Sequence, residues 1–209
     1  MSSLITRAIV EPSSGTASAW TTVNPVLNQG EIGYETDTGY TKKGDGSTAW
    51  NSLEYYTNMV FGSIYGNNIN WTQVAAQNTW YNIVDATIAD GKLNKVTHDG
   101  NGLLTVSEAG MYKIDYSLSL ESNAQNKHIE TGIEISSSGA AEDAGTQHIH
   151  LPNVAAIANT EWAVSGTCIL DLAAAATLEV AVRTTDVGTP TIKIDHINLT
   201  VVQIYKTIL

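Results

Sequence analysis

The chain has little cysteine, little positive charge and no long apolar run. Cys168 is the only cysteine among 209 residues, so no intrachain disulfide can form. It lies in the apolar stretch Thr167-Cys168-Ile169-Leu170, which reads as a buried small hydrophobe rather than a reactive thiol. Ten Lys and Arg stand against 21 Asp and Glu, giving a net charge of −11. The basic residues are scattered singly, and phosphate binding needs them clustered, so nucleic acid and anionic membrane surfaces are excluded as partners. No apolar run reaches the length of a membrane span. The opening MSSLITRAIVEPSSG has no charged head followed by an apolar core. The expectation is therefore of a product made and assembled in the cytoplasm, without a secretory signal.

Helical periodicity is nearly absent; two-residue alternation takes its place. Tyr112, Ile114, Tyr116, Leu118 and Leu120 share one face of a strand predicted over 111–121, with Lys113, Asp115, Ser117, Ser119 and Glu121 on the other. Ile129, Thr131, Ile133 and Ile135 alternate with Glu130, Gly132 and Glu134, and Leu178, Val180 and Val182 with Glu179, Ala181 and Arg183. The run from Thr191 to Tyr205 changes apolar register between Ile194 and Ile197, which predicts a bulge near Asp195-His196. Turn signals stand at Asp90-Gly91, Asp99-Gly100-Asn101-Gly102, Ser138-Gly139 and Val187-Gly188-Thr189-Pro190. Ala173 to Ala176 reads as a connection between strands. This spacing predicts an all-β chain with an antiparallel sandwich or jelly roll.

Four segments follow from these patterns: an arm over 1–14, a β-hairpin module over 15–60, a Gly/Asn-rich linker over 61–70 and a sandwich domain over 71–209. In the module, Glu31 to Glu35 and Tyr40 to Lys43 are predicted strands joined at Asp37-Thr38-Gly39. Gly44-Asp45-Gly46 turns the chain into a last strand carrying Trp50 and Leu53. So many large aromatics on a short hairpin call for a partner chain to pack against. With no helix predicted after Gly46, the Gly-Asp-Gly run is a turn and not a phosphate cradle.

The stretch from Ser14 to Tyr56 resembles the N-terminal module of phage tail-fibre and tropism-determinant proteins. The resemblance rests on Gly15-Thr16, Trp20, Asn24-Pro25-Val26-Leu27, Gly30-Glu31-Ile32-Gly33, Thr36-Asp37-Thr38-Gly39, Lys43-Gly44-Asp45-Gly46 and Thr48-Ala49-Trp50-Asn51-Ser52-Leu53. It implies an intertwined trimer, a β-prism with strands from three chains. One departure is Ser13-Ser14, where that family carries a basic pair. The stretch Gly102-Leu103-Leu104-Thr105-Val106-Ser107-Glu108-Ala109-Gly110-Met111-Tyr112, with the strand after it, looks like the jelly roll of complement globular heads and tumour-necrosis-factor ligands. That likeness implies a trimer with a recognition role.

No catalytic, cofactor-binding or metal-binding residue is assigned. His148-Ile149-His150 is the one pattern with metal chemistry, and it is read as an exposed pair without a metal. Asp99 and Asn101 begin like a calcium loop but lack its later ligands, so they are read as a hairpin turn. Carboxylates on the strands are expected on wet faces, and no pair is singled out for glycoside cleavage. Asn70-Trp71-Thr72 and Asn198-Leu199-Thr200 match glycosylation sequons, without meaning in a bacterial host.

The resulting expectation is a non-enzymatic virion structural protein of a bacteriophage, a homotrimeric fibre or knob serving host attachment. Other virion proteins of tail or capsid would hold it by its N-terminal region, and a host-surface glycan or protein would be its target. The loop from Ser136 to Gly145 is the natural contact surface. Alternatives are a capsid decoration or head-fibre protein, which the small size favours, and a depolymerase of host glycan.

Overall fold

A computed structural model divides the chain into two units, Met1–Asn58 and Met59–Leu209. It describes residues 12–56, 59–123, 127–136, 147–150 and 161–206, with backbone only at 70, 71, 74 and 147–150.

In the first unit, strand β1 (Ser13–Gly15) runs parallel to β2 (Ile32–Glu35), and β2 pairs antiparallel with β3 (Thr41–Lys43). Helix α1 (Ala17–Val23) lies between β1 and β2 in the chain. Thr16 caps it by accepting the Ala19 N–H at 3.2 Å, and Asn24 ends it in the left-handed region at φ 47°. Sequence periodicity gives no sign of this helix because it buries no residue. The predicted last strand is corrected too. Trp50–Ser52 forms a 3-10 turn, and the backbone on either side of it makes isolated bridges, Val26 to Ala49 and Lys42 to Tyr55, in place of a strand ladder.

The second unit is a sandwich of antiparallel sheets, as the alternation predicts. Its strands are β4 (Phe61–Val74), β5 (Tyr81–Asn82), β6 (Ala89–Asn94), β7 (Val96–His98), β8 (Leu104–Val106), β9 (Gly110–Ser122), β10 (His128–Ile135), β11 (Gln147–His150), β12 (Trp162–Leu172), β13 (Thr177–Thr184) and β14 (Thr191–Lys206). A five-stranded sheet has the order β12-β9-β14-β4-β6, and a six-stranded sheet the order β11-β10-β13-β8-β7 with β5 beside β13. Strand β9 alternates as read from sequence, with Tyr112, Ile114, Tyr116, Leu118 and Leu120 buried in the core. The predicted bulge in β14 is present: the ladders to β4 and to β9 both shift between Ile194 and His196.

Three expectations change. Residues 61–70 belong to strand β4 and are no linker. Their glycines serve close packing: a Cβ on Gly62 would lie 2.6 Å from Val96 Cγ1. Asp90-Gly91 is no turn but part of β6, beside a register shift in β4 between Gly62 and Ile64. The strand carboxylates Glu130, Glu134 and Glu179 are buried, at 6%, 4% and 8% exposure, where wet faces were expected. Strands β10 and β13 are thus covered on both faces, which their alternating sequence does not reveal.

The sheets are tied by one buried phenol. Tyr116 on β9 donates its hydroxyl to the Thr131 carbonyl on β10 at 2.8 Å, and burial pushes the phenol pKa up to about 12. Gly166 on β12 faces Tyr116, and a Cβ there would lie 2.4 Å from the ring. Replacing Tyr116→Phe is expected to cost about 1 kcal/mol in urea unfolding, the net worth of one buried hydrogen bond. Gly166→Ala should cost more by forcing the ring aside, and equal stability of both variants and wild type would refute this account.

Candidate functional site

In the first unit the residues of the tropism-type pattern assemble a small core of their own. The rings of Trp20 and Trp50 stack with centroids 4.2 Å apart, and Trp20 Nε1 donates to the Tyr34 carbonyl at 3.0 Å. Trp50 is 1% exposed and seats over Gly33, where a Cβ would fall 2.3 Å from the indole. The two tryptophans therefore pack against one another within the same chain, while Tyr40 and Tyr56 stay exposed.

Ionic groups close this core. Lys42 is buried, donates to the Trp50 carbonyl at 2.8 Å and lies 4.4 Å from the centroid of the Tyr55 ring. Burial pulls the Lys42 pKa down, against the pull of Glu35 upward. The Glu35 carboxylate, also buried, accepts from Tyr55 Oη at 2.8 Å and from Thr38 Oγ1 at 2.5 Å. That bond to Glu35 is the main cause of the raised Tyr55 pKa. Asp37 accepts from the Ala17 N–H at 2.8 Å at the head of α1. Asp45 accepts from the Ser47 and Thr48 backbone and from the Thr48 hydroxyl, which holds its carboxyl well below the usual range. The Gly-Asp-Gly run is thus a turn, and its acid is spent on the turn itself. At the departure point, Ser13 Oγ donates to Glu31 Oε1 at 3.0 Å.

The second unit uses its polar groups in the same structural way. Asp99 Oδ1 accepts from the Asn101 and Leu103 N–H groups at 2.7 and 3.1 Å, the hairpin turn expected in place of a calcium loop. His98, which sequence reasoning passed over, is buried, with Nδ1 2.6 Å from Asp90 and Nε2 accepting the Gly102 N–H at 2.9 Å. Both ring nitrogens hold partners, so this His-Asp pair fixes the loop that follows His98. Glu108 receives Lys206 at 2.8 Å and Lys95 at 2.5 Å. Burial would raise its pKa, but the two lysines hold it below the usual value.

Arg183 pairs with Glu130 at 2.5 Å and lies 4.6 Å from the centroid of the Trp80 ring. Glu134 and Glu179 stand directly opposite one another in the β10–β13 ladder. Burial raises the Glu179 pKa, with Glu134 and Asp99 adding to the effect. Among the described residues no group of three His, Cys, Asp or Glu is placed to hold a metal. The backbone places His148 opposite Glu130 and His150 opposite His128, while their side chains lie outside the described residues. Most of the Ser136 to Gly145 loop also lies outside them. Among the described residues no helix is long and apolar enough to cross a membrane.

The outer faces of the two sheets differ. Phe61, Tyr65, Ile169, Ile204 and Tyr205 are large exposed apolar side chains on strands of the five-stranded sheet. Among the described residues, those exposed near the six-stranded sheet, Val84 and Val187, are in loops. One row crosses the five-stranded sheet as Phe61, Val202, Lys113 and Ile169, three of the four being apolar.

Residues 14–48 match the family described as the major tropism determinant N-terminal domain. The match lies within the first unit and bears out the resemblance read from the motifs. A protein named hyaluronoglucosaminidase, from Streptococcus pyogenes phage H4489A, is 46% identical over 41 residues. That stretch is 20% of this chain and 11% of the relative, so the chain spans about a ninth of the curated protein it matches. Among solved structures, the Eiger TNF of S. frugiperda superposes with a TM-score of 0.50 at 10% identity, covering 73% of this chain and 96% of that one. The globular domain of zebrafish complement 1qA gives a TM-score of 0.44 at 13% identity, covering 71% and 99%. The Eiger likeness shows the fold, a jelly roll of the tumour-necrosis-factor type.

Two measurements check these assignments. Trp50→Ala should cost the first unit about 3–5 kcal/mol, read as selective loss of amide protection within residues 12–56 while 59–206 stay protected. For Glu179 the folded pKa lies above the unfolded one, so its contribution is fully present below about pH 4.5 and is lost as pH rises through the folded value. Glu179→Gln should therefore gain stability over wild type as pH climbs from 4 to 7 in urea titrations. A difference that stays constant with pH would rule this out.

Proposed function

We propose that this chain is a displayed structural protein of a bacteriophage particle, a homotrimeric fibre or knob that attaches the particle to its host surface. The observation that carries the reading is the match of residues 14–48 to a tropism-determinant module, followed in the same chain by a jelly roll. In this reading residues 1–14 hold the virion, 15–60 set the assembly and the jelly roll is presented outward. Three identical domains per spike, and many spikes per particle, raise avidity without tight individual contacts.

Two features support assembly from copies of the chain. The first unit exposes Val23, Val26, Tyr40 and Tyr56 around its closed core. The row of Phe61, Val202 and Ile169 gives the five-stranded sheet an apolar outer patch, the kind of surface that subunit contacts cover. A non-enzymatic role is supported by the work that buried carboxylates already do: Glu35 binds two hydroxyls, Glu130 an arginine and Glu179 the Asn82 amide at 2.8 Å. The name of the phage relative, hyaluronoglucosaminidase, favours a second reading, cleavage of a host polysaccharide.

Purified chain should sediment as three copies of 22.3 kDa and compete with its phage for adsorption to host cells. A monomer would refute the trimer. Binding to fibreless capsids without competition would assign it to capsid decoration. Release of reducing ends from host surface glycan would make it an enzyme.

A further inference from the structure

We infer that His98 is an acid-operated latch: neutral, it holds the loop Asp99-Gly100-Asn101-Gly102 closed, and on protonation it releases that loop. The inference goes beyond the attachment reading and does not rest on it. The ring is buried inside one chain, its side chain 2% exposed, so the latch works whatever covers the outer faces of the sheets.

The place of the residue gives it leverage. Asp90 lies on β6, in the five-stranded sheet, and His98 ends β7, in the six-stranded sheet. The chain passes from one to the other at Lys95, in the left-handed region at φ 56°. His98 therefore ties the two sheets on its Nδ1 side and holds the loop on its Nε2 side. The loop in turn secures the turn before it, since the Asn101 carbonyl accepts the Asp85 N–H at 2.9 Å. Gly102, at φ 122°, sits close against the same region: a Cβ there would fall 2.8 Å from the Ile83 carbonyl oxygen.

Two partners fix the tautomer. An ionised Asp90 can only accept, so the proton of the neutral ring sits on Nδ1, 2.6 Å away. The Gly102 N–H can only donate, so Nε2 presents its lone pair, at 2.9 Å. An added proton has only Nε2 to go to. Once there it sets N–H against N–H and ends the bond that closes the loop.

The next acceptor for the new N–H is Asp99, whose Oδ1 lies 3.7 Å from Nε2. Burial pushes its carboxyl up, but the Asn101 and Leu103 amides outweigh this and hold it below the usual value. Closing the gap to the imidazolium draws on the same Oδ1 that holds those two amides, so the loop's own bonds compete with the charged ring. From the neighbouring strands, β8 sets Leu104 opposite His98, and Glu179 of β13 lies beyond Asp99, whose charge helps raise its pKa. Among the described residues no Lys or Arg pairs with Asp90, Asp99 or Glu179, so no cation competes with the imidazolium.

The test is an NMR titration of the full chain from about pH 8 to about pH 5, the span in which histidine changes charge. At the upper end the ¹⁵N shifts of the ring should show a proton on Nδ1 and a bare Nε2. As Nε2 gains its proton, the Gly102 amide should exchange about tenfold faster than the intrinsic pH effect allows. Leu118, on a strand paired on both sides, should keep its protection. His98→Gln offers an oxygen in place of Nε2 and does not titrate, so its Gly102 protection should stay level over the whole span. Should this variant fail to fold, the wild-type titration decides alone. A proton on Nε2 at the upper end, a ring that does not titrate within the span, or a Gly102 amide indifferent to the ring's charge overturns the latch. The same pH-dependent loss in His98→Gln overturns it as well, by assigning the change to Glu179.

Discussion

Strand β14 is hydrogen-bonded on both sides over almost its whole length, to β4 and to β9, and the rest of the second unit depends on that double ladder. A strand shows alternate residues to opposite faces, so a slip of one residue would put Ile192, Ile194, Leu199 and Val201 on the outer face. The bulge at Ile194/His196 prevents this. It appears in both ladders at the same place, so the two neighbours are locked to one register around a shared defect, and the β9 ladder shifts once more between Gln203 and Tyr205. Everything on the outer face, apolar or polar, is positioned by that lock.

Where one face is buried and the other wet, the fold was legible in the sequence. Strand β9 alternates cleanly because only its inner face is covered, and the β14 bulge showed as a break in the same rhythm. Reading failed where cover arrives from elsewhere in the chain. Nothing near Glu130, Glu134 or Glu179 in sequence says that both faces of β10 and β13 are buried. The stretch 61–70 misled for a related reason, since Gly62 and Gly66 look like flexibility until Val96 and Ile197 are seen packed against them.

The first unit shows the same limit from another side. Its motifs were recognisable, yet the helix Ala17–Val23 and the 3-10 turn at Trp50 were not, because the helix buries no residue and shows only its Thr16 and Asn24 caps, while the turn is set by residues distant in sequence. The turn is set by Gly33 leaving room for the indole and by Lys42 reaching the Trp50 carbonyl. The polar residues of the motif are likewise committed: Asp37 to the helix, Asp45 to its turn, Glu35 to two hydroxyls. What looked like candidate chemistry in the sequence is the hardware of a very small fold.

That hardware has an evolutionary consequence. A segment of some forty residues that stacks Trp20 on Trp50 and closes them with Lys42 carries an interior of its own. Recombination near codons 56 to 59 would exchange the downstream domain without unmaking the upstream one. Such a segment behaves as a cassette that lineages can trade while the domain downstream of it changes.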